Sequence, residues 1–279
     1  HSPAARRGVN LAVMEDYVVT DGAGFRLTDP DPRATSGVPG KAEGRAEVAE
    51  LTRRMRHLQE RFYADGRHRL LVVLQGMDTS GKSGAVRRAF TGLNPAGVRV
   101  TSFRTPTDEE LARDFLWRVH RHVPRDGEIA LFDRSHYEDV VAARVRGLVP
   151  PERWRARYEH IRAFERMLVD EGTIVRKFFL HISREEQAER LRARLEDPRK
   201  HWKFRRSDLE DRARWDEYQA AYEDAIRETA TPEAPWVIVP ADRKWHRDLV
   251  ICRTIVDTLA GLDLRYPDAE EDLSGVVVV

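Results

Sequence analysis

The apolar run RLLVVLQ, residues 69–75, passes directly into GMDTSGKS, residues 76–83. The run lacks polar alternation, the mark of a parallel strand covered on both faces rather than a half-exposed one. The octapeptide spaces its glycines and its Lys-Ser pair as G-x-x-x-x-G-K-[ST]. Gly76 and Gly81 let the backbone turn so that successive N–H groups aim at one anion. The helix expected to follow adds its positive N-terminal end. Lys82 is placed to reach between neighbouring phosphates, and Ser83 to offer a hydroxyl to a divalent cation. Alone, the octapeptide could be a plain glycine-rich turn; the buried strand before it and the helix after it favour a phosphate loop. One residue stands out, Asp78, a carboxylate where polyanionic phosphates are expected to lie.

Beyond this unit the pattern alternates. VRVTSF (98–103), EIALFD (128–133), TIVRKFFLHI (173–182) and PWVIVPAD (235–242) read as further strands. The capping-box patterns Thr107-Asp-Glu-Glu110, Ser183-Arg-Glu-Glu186 and Ser207-Asp-Leu-Glu210 open helices between them. Val48, Leu51, Met55, Leu58 and Phe62 share one face of a helix over 46–64, and Trp154, Tyr158, Ile161 and Leu168 mark another. Five strands alternating with helices predict a single three-layer α/β domain with a parallel sheet and a helical excursion near 185–230. Residues 1–45, rich in Gly, Pro, Ala and Asp, read as an extended arm. The domain spans 46–267, and 268–279 form a C-terminal tail whose VVVV end is unassigned.

Composition narrows the function classes. A formal net charge of +1 with 34% charged residues is unlike a dedicated nucleic-acid binder. The lone Cys252 excludes an intramolecular disulfide and a cysteine-based zinc site. No apolar run approaches the roughly 18 residues of a membrane span, and no secretory leader is visible. These features point to a soluble cytoplasmic protein. The chain opens on His rather than Met, so its natural start is expected to have been trimmed or replaced. Only six of its 48 basic residues are Lys; composition bias accounts for most of the Arg excess.

Three further segments carry chemistry. In ALFDRSHYED (130–139), Asp133 ends an apolar strand behind the P-loop, the place of a Walker B carboxylate that orients Mg²⁺. Arg134 beside it can meet phosphate or stabilise transition-state charge, although Asp-Arg at a strand end can also be a simple salt bridge. In RARLEDPRKHWKFRRSD (192–208), Arg194, Lys200 and Lys203 stand among aromatic residues between two helices. An Arg-bearing lid that closes over phosphates and excludes water fits this segment; a solvated charged face and a single-stranded nucleic-acid contact remain open. In SFRTPTDEEL (102–111), Arg104 either holds an acceptor phosphate or is a surface charge. The His residues show no metal-ligand spacing.

GMDTSGKS, SFRTPTDEELARDFLWRVH, FDRSHYEDV, EDPRKHWKFRRSDLEDRARWDEYQAAYEDAI and PWVIVPADRKWHRDLV, in this order, together resemble the polyphosphate kinase 2 family. The resemblance covers roughly residues 45–267. It implies a fold similar to thymidylate kinase, and phosphoryl transfer between inorganic polyphosphate and a nucleotide with Mg²⁺ or Mn²⁺. The family's Walker A Asp and Lys fall on Asp78 and Lys82, its Walker B Asp on Asp133 and the following Arg on Arg134. The HYED and HWKF segments resemble the subgroup that accepts both AMP and ADP. The resemblance also implies a homo-oligomer, a dimer or tetramer, with exposed aromatics such as Trp154 and Trp215 available for it.

On this reading Asp78, Asp133 and Ser83 hold the metal, and Lys82, Arg134, Arg144, Arg194, Lys200 and Lys203 hold the polyanion. Arg104, Tyr137 and Glu138 face the nucleotide. The acceptor phosphate is already ionised, so positioning and charge neutralisation suffice without a strong base. An ATP-dependent nucleoside monophosphate kinase shares the P-loop, the Asp-Arg pair and the lid. A non-catalytic polyanion-binding module shares the P-loop alone. Neither nucleic acid nor membrane is an expected partner.

Overall fold

The computed structural model describes residues 15–272, 274 and 276–278. The first fourteen residues of the expected arm, and three positions of the tail, lie outside them. Six strands form one sheet: β1 (Val18–Val19), β2 (Arg69–Gln75), β3 (Val98–Ser102), β4 (Ile129–Asp133), β5 (Thr173–His181) and β6 (Trp236–Pro240). Their order is β1-β6-β5-β2-β4-β3. β2 to β6 are parallel, with β2 in the middle; β1 runs antiparallel on the β6 edge, pairing Val18 with Val237 and Val19 with Trp236. The five strands expected from sequence are present. The sixth comes from the arm, where two valines hydrogen-bond to the sheet while Tyr17 and Leu27 enter the core.

Helices cover both faces. α1 (Lys41–Asp65), α2 (Lys82–Ala89) and α10 (Lys244–Ala260) lie on one; α5 (Ala142–Val145), α6 (Pro151–Asp170) and α9 (Trp215–Thr229) lie on the other. Successive β5 residues register the two layers, since side chains alternate along a strand. Arg176 donates to Thr258 of α10 at 3.0 Å, whereas Lys177 reaches Glu165 of α6 at 2.6 Å. α6 buries Trp154, Tyr158, Ile161, Phe164 and Leu168 as one stripe, each such burial contributing about 1.5–3 kcal/mol. Trp154 and Trp215, expected as exposed aromatics for assembly, are therefore core residues, 9% and 8% exposed.

Local chemistry sets the element ends. α1 begins at Lys41, ahead of its apolar stripe, and Gly44 in its first turns leaves room for Trp245; a Cβ there would lie 2.3 Å from that ring. The Thr107 capping box forms, but the helix it opens is only α3 (Asp108–Leu111). Asp114 then accepts from the N–H groups of Leu116 and Trp117, both at 3.0 Å, and starts a separate α4 (Trp117–His120). Ser183 accepts from Glu186 N and begins α7 (Arg184–Glu196), while its own N–H goes to Asp242 rather than back to Glu186. Ser207 caps nothing: α8 (Arg206–Ala213) starts ahead of it, and a break at Arg214 separates α8 from α9. Among the described residues no helix is long and apolar enough to cross a membrane.

Candidate active site

β2 and β4 are neighbours in register, Leu74 beside Asp133, so the loop after β2 and the residues after β4 open at the same carboxyl end of the sheet. Ligands of open α/β sheets gather there. The loop Gly76–Gly81 runs into α2 with Gly81 at its N-terminus, φ +101°. A side chain at Gly76 would sit 2.8 Å from Leu180 O, and one at Gly81 would sit 2.2 Å from an Arg247 nitrogen. Two residues other than glycine also take left-handed backbone, Thr79 at φ +65° and Arg134 at φ +62°. Such positions cost on the order of 1–3 kcal/mol and persist where surrounding bonds hold them. Here one is in the phosphate loop and the other directly after β4.

The predicted pair Ser83 and Asp133 meet: Ser83 Oγ donates to Asp133 Oδ2 at 2.9 Å. Arg134 turns back to Asp78, its Nη2 donating to Oδ1, with Glu138 at 4.0 Å from its Nε. Lys82 folds over its own loop, donating to Gly76 O at 2.7 Å and Met77 O at 3.2 Å. Burial pushes the Asp78 carboxyl up, but the Arg134 and Lys82 charges outweigh it and hold Asp78 below the ordinary carboxylate range. Burial and the Arg134 charge push the Lys82 ammonium down, against the pull of Asp78, Asp133 and Glu138. Burial raises Glu138 in spite of Arg134 and Lys82. Five of the sequence-predicted residues, Asp78, Lys82, Ser83, Asp133 and Arg134, thus form one charged cluster at the loop mouth, with Glu138 at its edge.

The other candidates separate. Arg194, on α7, bonds Asp208 at 3.0 Å and Lys203 O at 3.1 Å, and its charge reaches Asp78. Lys200 and Lys203 stand further out on a 3₁₀ turn, Pro198–Lys203, the first paired with Asp197 and the second over the Trp202 ring. Arg144 is not brought to the cluster; it pairs with Asp224 at 2.6 Å and covers Trp154. Arg104 is exposed, and among the described residues its carbonyl, held by Arg118, is its hydrogen-bonding group in use.

Tyr137 requires a correction. It is 0% exposed, so its place is the core and not the nucleotide. Its hydroxyl donates to Glu165 at 2.8 Å and meets Thr229 Oγ1 at 3.0 Å, while Lys177 donates to it at 3.1 Å. His136 joins the same network through Glu165 at 3.3 Å. Burial raises the Tyr137 phenol, and the Glu165 charge adds to that rise. In HYED, therefore, His136 and Tyr137 anchor the turn from below while Glu138 faces the site.

Sequence reasoning missed the residues that set the loop's shape. Tyr222 donates to Gly76 O at 3.1 Å, Gln187 to Asp78 O at 3.0 Å, and Arg247 to Gly81 O at 3.2 Å. Arg190 donates to Thr79 O at 3.0 Å and Ser80 O at 2.8 Å. Gln75, with its amide oriented to suit its neighbours, donates to Glu138 Oε1 at 3.0 Å and accepts from Ser135 N at 3.0 Å. Gln187 and Arg190 share a helix face at i, i+3, a spacing that an ordinary solvated face shows as well.

A phosphate loop on a parallel sheet, faced by a serine-bonded Walker B carboxylate and overhung by a basic segment, defines a P-loop phosphotransferase fold. The family model for polyphosphate kinase 2 matches residues 39–266. An AMP/ADP-polyphosphate phosphotransferase of Meiothermus ruber is 53% identical over 266 residues, 95% of this chain and 100% of that protein. An ADP-polyphosphate phosphotransferase of Rhodopseudomonas palustris is 40% identical over 242 residues, 81% of this chain and 84% of the relative. The crystal structure of polyphosphate kinase 2 from Arthrobacter aurescens TC1 superposes with a TM-score of 0.87 at 43% identity, covering 92% of this chain and 95% of that one. The chain belongs to the polyphosphate kinase 2 family.

Proposed function

We propose that the chain moves a phosphoryl group between inorganic polyphosphate and AMP or ADP, forming ADP or ATP in a reversible reaction. The observation that carries this reading is the meeting of Asp78, Lys82, Ser83, Asp133 and Arg134 at one loop mouth, in a member of this family. Phosphoryl transfer asks the protein for positioning and charge neutralisation. The loop N–H groups and Lys82 bind the terminal phosphates of the donor. Arg134, held in line by Asp78, balances charge that develops on the transferred group. The Arg194 end of the lid adds positive charge and, on closing, excludes water that would otherwise take the phosphoryl group. Lys200 and Lys203 extend this cationic track along the polyphosphate, and Arg104 and Glu138 border the nucleotide side.

Asp78, Asp133 and Ser83 fit a divalent cation by their chemistry, two carboxylates and a hydroxyl, hard oxygens suited to Mg²⁺ or Mn²⁺. Among the described residues no group of three or more acidic, His or Cys side chains that could hold a metal is found. When bound, the ion neutralises phosphate charge. Asp78 in a phosphate loop is then a ligand for the cation that accompanies the polyanion. We read the assembly as a homo-oligomer, a dimer or tetramer, and the location as cytoplasmic. Comparing polyphosphate with ATP as donor, against AMP and ADP in turn, tests the reading. Product from ATP and AMP but not from polyphosphate contradicts it.

A further inference from the structure

We infer that Arg190 is a positioning residue for the phosphoryl donor, fixing the phosphate loop from behind and tying it to the helix that carries the lid. The inference rests on the reading above, that the loop 76–81 receives the end of a polyphosphate chain. Arg190 is 9% exposed and uses every N–H of its guanidinium. Nη1 donates to Thr79 O at 3.0 Å and Ser80 O at 2.8 Å. Nη2 donates to Ala241 O at 2.5 Å and Asp242 O at 3.1 Å, and Nε to Glu186 Oε1 at 2.7 Å. A lysine, with three donors on one atom, cannot span these groups.

The bonds act on the donor through peptide geometry. In a trans peptide the C=O of one residue and the N–H of the next point in opposite directions. Gln187 on Asp78 O, Arg190 on Thr79 O and Ser80 O, and Arg247 on Gly81 O therefore draw four consecutive carbonyls to the outside. The N–H groups that follow turn the other way. Ser80 N is taken by Met77 O at 3.0 Å, but among the described residues Thr79, Gly81 and Lys82 have backbone N–H groups with no acceptor. These are the groups left to bind phosphate oxygen. Thr79, at φ +65°, is held in its left-handed conformation between the bonds from Gln187 and Arg190. Because Arg190 and Gln187 lie on α7 with Arg194, the loop and the root of the lid move as one piece.

The test is a steady-state comparison of wild type, Arg190→Ala, Arg190→Lys and Gln187→Ala with polyphosphate and ADP varied separately. Expected for Arg190→Ala is a KM for polyphosphate raised about tenfold or more, with the KM for ADP within about twofold of wild type. Added guanidinium should restore part of the loss in Arg190→Ala but not in Arg190→Lys, whose side chain fills the space. Gln187→Ala should show the same split to a smaller degree, and it decides the matter if Arg190→Ala does not fold. A polyphosphate KM unchanged in folded variants, or both KM values rising together, overturns the inference alone. A wild type that moves no phosphate from polyphosphate overturns the functional reading and this inference with it.

Discussion

Ser83 Oγ donates to Asp133 Oδ2 across 2.9 Å, joining the first turn of α2 to the last residue of β4. Fifty positions of sequence separate the two, and the parallel pairing of β2 with β4 brings them together. If both hold the divalent cation, Asp133→Ala should reduce turnover by about two orders of magnitude and raise the Mg²⁺ concentration needed for half-maximal rate. A magnesium titration of the variant measures both. An unchanged magnesium requirement would remove Asp133 from the metal site.

Tyr137 ties Glu165, Thr229 and Lys177 into a network with no access to solvent. Tyr137→Phe leaves buried polar groups short of a partner, at a cost of about 1–3 kcal/mol. The melting temperature should fall while the KM for the nucleotide stays within about twofold. Denaturation and steady-state kinetics on one preparation separate the outcomes. A nucleotide KM that rises with stability intact would return Tyr137 to the acceptor site.

His246 lies buried against Tyr17, its Nε2 3.2 Å from the phenol oxygen. Burial, aided by the Arg253 and Arg243 charges, lowers its pKa from 6.5 to about 4. The unfolded chain then binds the extra proton first as pH falls. Stability from this group is complete above pH 6.5 and is lost progressively down to about pH 4, on the order of 3 kcal/mol. His246→Asn should melt with a shallower pH dependence than wild type across that window. Parallel curves for the two proteins would contradict the assignment.

Trp202 is 76% exposed at the tip of the lid segment, with Lys203 over its ring at 4.8 Å. Closure over a bound polyanion should alter its surroundings and hence its fluorescence. Adding polyphosphate should change tryptophan emission in wild type and leave Trp202→Phe nearly unchanged. An equal response in both proteins would mean that the segment does not move over the donor.

Much of the architecture was legible because parallel strands announce themselves: RLLVVLQ is β2 to the residue, and the Walker B strand ends at Asp133 as expected. β1 escaped because two valines in a Gly- and Asp-rich segment carry no periodicity; the open β6 edge makes them a strand. The site was legible where a motif fixes local geometry, as for Asp78, Lys82 and Ser83. It was not where direction matters. Tyr137 and Glu138 are neighbours in HYED, yet one faces the core and the other the cluster. Arg144 and Arg194 look alike in sequence, but Asp224 holds the first away from the cluster, while the second, paired with Asp208, keeps its charge within reach of Asp78. Arg190, Gln187 and Arg247 act on backbone carbonyls, a role that no spacing of charges reveals.

On the proposed function, this cluster moves phosphoryl groups from polyphosphate to an adenine nucleotide. The direct measurement is ATP formed from polyphosphate and ADP with Mg²⁺, in wild type and in Lys82→Met. Lys82 is buried and donates to Gly76 O and Met77 O. Methionine, of similar length, keeps the packing but loses those bonds, at a cost of about 1–3 kcal/mol, while turnover should fall by about three orders of magnitude. Wild type should form ATP only with both polyphosphate and the metal present. A folded Lys82→Met protein with near-normal turnover, or a wild type inert toward polyphosphate, would contradict the claim.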